Sequence, residues 1–348
     1  MSTEYVKPTL EIEGQLRNEM NEGLLEVQIT SLLSGKAHLQ LRLVNWQTNV
    51  GDELADFAFL DLALGQQISV LMQQSGSPQL FNGEITALEE RYGNGAPQLV
   101  VLAEDKLHLL AKTRNNRVFE EMSINQVIEA VAGDHSLAVD CHVSTEIQSW
   151  HQINETDFAF ITRLINPFDL AMRIVADQLQ VKPEQRDTEA IVIDPQSNAD
   201  SVRIVADLNR QVPSLRVTGL NLENDSELSA QADSPYPSSL AGENSSAKDT
   251  LEQLSWANEQ IATDHIPRNQ SEADSWAQGA MHKRAKRFLY GDISCRGDSR
   301  LACGREIKLQ GVSRRLAGRY QVVCCQHLYN AQIGFKTDIK VERSGWLL

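Results

Sequence analysis

Three short stretches of this sequence hold side chains that could do chemistry. Asn154-Glu155-Thr156-Asp157 sets two carboxylates two residues apart, the raw material of general acid–base catalysis. Cys324-Cys325-Gln326-His327 offers thiols and an imidazole, and on a strand Cys325 and His327 would share a face from which to reach a metal. His282-Lys283-Arg284-Ala285-Lys286-Arg287 is the strongest basic cluster, a kind of run that also marks nucleic-acid and membrane patches. Each has a plainer reading. The first reads as a helix opening, with Asn154 as cap and Glu155 and Asp157 in the first turn, where the helix dipole favours negative charge. The second lacks the further ligand pair that zinc requires, so it reads as a buried strand with a hydrogen-bonded histidine, and no metal is expected. The third reads as a solvated helix face near a helix C-terminus. A middle reading makes Lys283, Arg284, Lys286 and Arg287 a contact to an acidic surface of another subunit. No glycine-rich phosphate loop, G-x-S-x-G elbow or H-E-x-x-H pair is present, so nothing in the sequence asks for catalysis or a cofactor.

Two helices must position the first cluster. Ser123 with Gln126 three residues on is a capping-box pattern. Ile124, Val127, Ile128 and Val131 then recur at helical spacing, and Gly133 is expected to supply the left-handed residue that ends the helix. The second helix is expected to open at Asn154, to carry a Phe158/Ile161/Ile165 stripe, and to stop at Pro167. Residues 8–110 read as β structure. Leu25, Val27 and Ile29, then Leu39, Leu41 and Leu43, alternate with polar residues. Ile68–Met72, Leu80–Tyr92 and Gln98–Leu110 continue the pattern. A Ser75-Gly76-Ser77-Pro78 turn and a Gly93-Asn94-Gly95 hairpin punctuate it, and Gly83 marks a bulge or a close backbone approach. Further strands are expected at 171–175, 190–193, 201–205 and 215–222. Residues 223–246 lose periodicity and read as a mobile linker. Helices are expected at about 248–261 and 272–289. The second is capped by Ser271 and striped by Ala277, Met281, Ala285 and Phe288. Strands return at 306–310, 319–327 and 334–341.

The chain has 348 residues, room for two or three domains. It contains no apolar run long enough to span a bilayer, and its first residues lack a signal peptide's apolar core. Cytoplasmic synthesis and assembly are therefore expected. The net charge of −15 argues against a general nucleic-acid binder, which needs a basic surface. Five cysteines at spacings unlike a zinc site read as reduced thiols. Adjacent Cys324 and Cys325 would point to opposite strand faces and should not bridge.

The order of these motifs resembles the late control gene D protein family of contractile-tailed phages, whose domain also forms the base of the valine-glycine repeat protein G (VgrG) spikes of type VI secretion. Phe119, Ser123, Val127, Ile128 and Leu137 match the family's first helix motif. Gln152, Asn154, Glu155, Asp157, Phe160, Arg163 and Leu164 match its second. The phrase LFNGEITALE fits a strand of its first domain. Gly304, Ile307, Leu309, Gly318, Tyr320, Val322, His327, Gly334, Phe335 and Thr337 fit its closing module, with His327 in a structural role. Pro167-Phe168-Asp169 departs from the family's glycine-bearing loop. The resemblance implies an α+β, mainly β fold with two discontinuous β-barrel-like domains and inserted helices. Residues 1–115 with about 201–225 would build the first domain. Residues 116–200 with about 291–348 would build the second, and 226–290 would be a linker and helical insertion. It further implies a pseudo-six-fold homotrimeric ring that joins a hexameric inner tube to a trimeric spike. Partners would be the spike protein, the inner tube protein, other baseplate proteins, and tape measure or effector cargo. VgrG chains continue into a neck and a β-helical spike, so here a separate spike protein would dock. Two other roles within such a machine remain open from sequence: an effector-loading adaptor working through 223–290, and a cell-wall hydrolase component using Glu155 or Asp157.

Overall fold

The computed structural model describes residues 7–48, 55–72, 79–93, 95–143, 145–183, 189–221, 224–233, 245–256, 259–262 and 266–347. Alternating apolar residues build the N-terminal strands β1 (Thr9–Ile12), β2 (Leu24–Leu32), β3 (His38–Val44), β4 (Gln67–Leu71), β5 (Gln79–Arg91) and β6 (Gln98–Glu104). Their buried faces, including Ile29, Leu41, Ile68 and Val101, pack into the first of four apolar cores. Gly83 sits where a Cβ would lie 2.2 Å from the Glu104 carbonyl oxygen, so the close approach read from sequence is real. The Ser75–Pro78 turn and Asn94 of the hairpin lie outside the described residues. The chain leaves β6 earlier than expected: Leu107–Leu110 is a helical turn rather than strand, because the Asp105 carboxylate accepts the Leu107 N–H at 3.1 Å.

A second core gathers β7 (Arg114–Met122), α1 (Ile124–Gly133), β8 (Ala138–Cys141), β9 (Gln148–Thr156), α2 (Asp157–Ile165), β10 (Ala171–Val175) and β11 (Gln178–Lys182). The Ser123/Gln126 capping box is formed. Gly133 is not the left-handed residue. The helix closes one turn later, where Leu137 N–H reaches the Ala132 carbonyl at 3.1 Å and Ser136 N–H reaches the Gly133 carbonyl at 3.0 Å. That Schellman pattern places Ser136, at φ 55°, in the left-handed position. Pro167 follows α2 within a 3-10 turn, Asn166–Phe168, so the stop falls where expected.

The C-terminal half supplies β12 (Ile191–Ile193), β13 (Ala199–Ala206), β14 (Leu215–Asn221), β15 (Ser226–Ala232), α3 (Gln270–Ala285), β16 (Leu289–Arg296), β17 (Glu306–Leu309), β18 (Gly318–Asn330) and β19 (Gly334–Arg343). Four expectations are corrected here. The stretch read as a linker contains β15, whose alternating Leu228, Ala230 and Ala232 face inward; alanines are small enough for α3 to pack closely, and too weakly apolar to mark a strand. Helix 248–261 ends at Gln253, and Gln260–Ala262 is a strand paired with β14. Asn269, not Ser271, caps α3 by accepting the Glu272 N–H at 2.8 Å. The helix expected to reach 289 ends at Ala285, and Leu289–Arg296 inserts as β16 between β13 and β19. The stripe Ala277, Met281, Ala285 and Phe288 is buried throughout.

Thirteen strands share one sheet, in the order β13-β16-β19-β18-β2-β3-β6-β5-β4-β1 with Gln15–Leu16 at the edge. β17 joins β18 and β12 joins β17. β18 is the seam. Its first half pairs with β17, and Cys324–Asn330 pairs with β2, so the C-terminal core and the N-terminal core share one hydrogen-bonded sheet. Residues 199–206 lie against β16 of the C-terminal core, and 215–221 against β15. Among the described strands no closed barrel is formed; the fold is mainly β.

α3 crosses the Asn166–Phe168 turn at Gly279, where a Cβ would meet the Pro167 carbonyl oxygen at 2.3 Å. Gly279→Ala is expected to force that crossing apart and cost about 2 kcal/mol. The check is the urea midpoint of purified variant and wild type.

Candidate interaction site

The first sequence cluster turns inward rather than forming an acid–base pair. β7 and β9 pair up to Asn115↔Glu155 and Arg114↔Thr156, which keeps Asn154 in the ladder at a bulge with φ 49°. Thr156 therefore caps α2, accepting the Ala159 N–H at 3.2 Å, and the expected cap at Asn154 is corrected. Glu155 faces Arg163, 2.5 Å from its guanidinium. Asp157 is 2% exposed and sits at the centre of a donor cage. Asn115 donates to its Oδ1 at 3.0 Å and Gln152 at 2.8 Å, Arg117 pairs with the same oxygen, and His135 lies 2.8 Å from Oδ2. Burial works to raise the Asp157 pKa, but the bonds from His135, Gln152 and Asn115 and the Arg117 charge outweigh it, so the carboxyl titrates below its ordinary range. Phe119 stacks on Phe160 at 5.6 Å beneath this cage, and Arg117 and Arg163 each lie 5.3 Å over one of these rings. Ser123 opens the helix that carries the same core. Asn115, Arg117 and His135 were not singled out from sequence. Their only signal is the strand register that sets Arg117 opposite Gln152.

The closing-module positions converge elsewhere. His327 is 6% exposed; its Nε2 lies 3.1 Å from the Leu301 carbonyl and its Nδ1 3.0 Å from Thr337 Oγ1. A carbonyl only accepts, so Nε2 carries the proton and Nδ1 accepts from the threonine hydroxyl. Thr337 Oγ1 in turn accepts the Asp298 N–H at 3.2 Å. Burial lowers the His327 pKa to about 4, against weaker upward effects of the Leu301 bond and Asp298. Cys325 Sγ lies 3.5 Å from His327 Nε2, so the shared face is real. Among the described residues no group of three or more metal-ligating side chains is gathered. All five cysteines are free. Tyr320 is fully buried and gives its hydroxyl to the Leu316 carbonyl at 2.8 Å. Gly318 leaves room for the Arg343 guanidinium, and Gly334, at φ 68°, turns β18 into β19.

The basic run is engaged within the chain. Lys283 reaches Asn166 Oδ1 at 2.6 Å, Arg284 bonds Gln260, Lys286 lies 2.6 Å from Asp169, and Arg287 lies 3.4 Å from Glu342. These bonds tie α3 to the turn after α2 and to β19. No helix among the described residues is long and apolar enough to cross a membrane.

A family model described as the phage tail baseplate hub (GPD) matches residues 33–333. No curated protein matches. Among solved structures, the fold is similar to the 43 kDa tail protein of prophage MuSo2 from Shewanella oneidensis, at 12% identity over 97% of this chain and 98% of that one, with a TM-score of 0.70. It is similar to the tail protein from Neisseria meningitidis MC58 at 10% identity, 97% and 96% coverage, and a TM-score of 0.67. It is also similar to the E. coli c3393 protein, a component of the type VI secretion system with structural similarity to T4 bacteriophage tail proteins gp27 and gp5. That match has 11% identity, 95% and 76% coverage, and a TM-score of 0.60. At such identities the likeness is one of fold.

Proposed function

This chain belongs to the phage tail baseplate hub family and is a structural hub protein; from that premise we propose that three copies form a ring that joins a hexameric inner tube to a trimeric spike. The observation that supports this best is the undivided sheet. Force applied at either core passes through backbone hydrogen bonds of β18 into the other, with no flexible joint between β18 and β2. In this reading the N-terminal core and the C-terminal core are the two similar modules that alternate around the axis. Three copies then offer six near-equivalent contacts to the tube and three to the spike. The machine is a phage tail, a tailocin or a phage-like secretion particle, and the role is mechanical rather than catalytic. Glu155 and Asp157, the carboxylates a hydrolase would use, are each committed to cations within the fold.

The test is the solution mass of the purified chain, alone and with the spike and tube proteins of its own particle. Three copies per assembly is the expected result. A stable monomer at micromolar concentration in all mixtures would overturn the proposal.

A further inference from the structure

The two ends of the large sheet carry opposite chemistry. The register fixes which loops lie at which end. Val44 pairs with Gln98, Gln98 with Arg91, and Asn330 with Glu26, so the loops after β3 and β5 share one end. Leu309 pairs with Gly318, so the β17–β18 hairpin tip lies at the other. β18 separates the two by about 40 Å at ~3.3 Å per residue.

At the first end two exposed aromatic rings flank a half-buried third. Trp46 is 44% and Tyr92 64% exposed, with Phe57 between them at centroid distances of 5.6 and 6.1 Å, both edge-to-face. Asp56, next to Phe57, and Glu90, which accepts the Tyr92 hydroxyl, add negative charge, and Glu22 lies at the same end. The one cation in the hairpin strand, Arg91, is paired with Glu89. At the second end, Lys308, Arg314 and Arg315 are exposed in a segment, 307–318, that contains no acidic residue. Among the described residues these three form no salt bridge. Arg315 lies 4.9 Å over the Trp346 ring, and the nearby Asp194 accepts the Gln196 N–H at 2.8 Å. A basic tip with no ion-pair partner among the described residues is anomalous in a chain of net charge −15.

We propose that the basic β17–β18 tip of one copy docks on the aromatic, acidic end of the next, head to tail. The separation forbids the contact within one chain. Guanidinium groups over indole and phenol faces, rimmed by carboxylates, combine cation–π attraction with charge pairing, and Trp, Tyr and Arg dominate interface energetics. Because the two patches differ, the contact is heterologous, and a rotation of about 120° between copies closes it into the three-membered ring. The inference rests on the trimer reading above and assigns its contact surfaces.

The experiment is sedimentation equilibrium of four full-length chains: wild type, Arg314→Glu/Arg315→Glu, Asp56→Lys/Glu90→Lys, and the fourfold combination. Each double variant is expected to raise the dissociation constant about 100-fold, because two interface charges are reversed. The fourfold variant is expected to bind about tenfold more tightly than either double, since the charge pairing is restored while the cation–π attraction is not. That rescue also shows the doubles fold. Wild-type assembly by Arg314→Glu/Arg315→Glu, or a fourfold variant no better than the doubles, would overturn the docking while leaving the trimer standing. A wild-type chain that stays monomeric with spike and tube proteins present would overturn both.

Discussion

Asp157→Ala unfolds at markedly lower urea concentration than wild type, with a loss of about 3 kcal/mol. The carboxylate accepts from Asn115, Gln152, Arg117 and His135 in a site that water barely reaches. Removing it leaves those donors aimed at a void, and an orphaned buried donor costs more than its hydrogen bond contributed. Arg117 keeps a second partner, Asp134 at 2.5 Å, and is about a quarter exposed, which places the loss at the lower end of the range for broken buried pairs. Asp157→Asn retains the shape but aims an amide N–H₂ at one set of donors, so it recovers only part of the loss. A second readout separates the charge from the packing. The folded-state pKa of Asp157 lies below its unfolded value, so its stabilisation is full above the unfolded carboxylate pKa and is lost as pH falls below about 4. Wild type and Asp157→Asn should therefore converge in stability toward pH 2. A constant gap down to that pH would show that the charge contributes nothing.

Local signals in the sequence were reliable where the structure is local. The Ser123/Gln126 box needs only four residues, and the alternation at Leu39, Leu41 and Leu43 needs only a half-buried strand. What the sequence hid depends on pairing between distant segments. Asn154 looks like a cap because Asn, Glu and Asp favour helix starts. The ladder to β7 instead leaves it as the left-handed residue of a bulge and passes the cap to Thr156. The Asp157 cage draws Asn115 and Arg117 from a strand 40 residues upstream, and His135 from the turn after α1. Residues 286–289 were read as the end of a helix because Ala285 and Phe288 prolong the α3 stripe, although Phe288 belongs to a different core. The basic run looked like an outward face, yet its partners Asp169 and Glu342 lie 117 and 55 positions away along the chain and leave no local pattern. The family motif, in contrast, was legible because its residues are those that such distant pairing requires: Gln152, Asp157, Tyr320, His327 and Thr337 are all buried.

Among those motif residues, His327 should give the chain a specific acid sensitivity. Its folded-state pKa is about 4, below the ordinary 6.5, because burial of the ring outweighs the upward pull of the Leu301 bond and of Asp298. A base whose folded pKa is depressed binds fewer protons folded than unfolded, so protonation favours the unfolded chain. The stabilisation is complete above pH 6.5 and is withdrawn as pH falls to 4, by about 3 kcal/mol for a shift of this size. His282, lowered by burial, acts with the same sign. Asp105, which burial raises to about 6, acts with the opposite sign: its charged form is the costly one, so its protonation favours the folded chain over the same window. The total pH profile therefore mixes these groups, and the informative quantity is a difference. His327→Gln keeps one acceptor and one donor but does not titrate. Its stability relative to wild type, measured by urea unfolding at pH 7, 6, 5 and 4, is expected to improve steadily as pH falls. At pH 7 the variant is the weaker by about 1–2 kcal/mol, since glutamine cannot reproduce both ring contacts with the same geometry. Near pH 4 wild type has lost its advantage and the order is reversed. A difference that stays constant across the four pH values would mean that His327 does not titrate with unfolding.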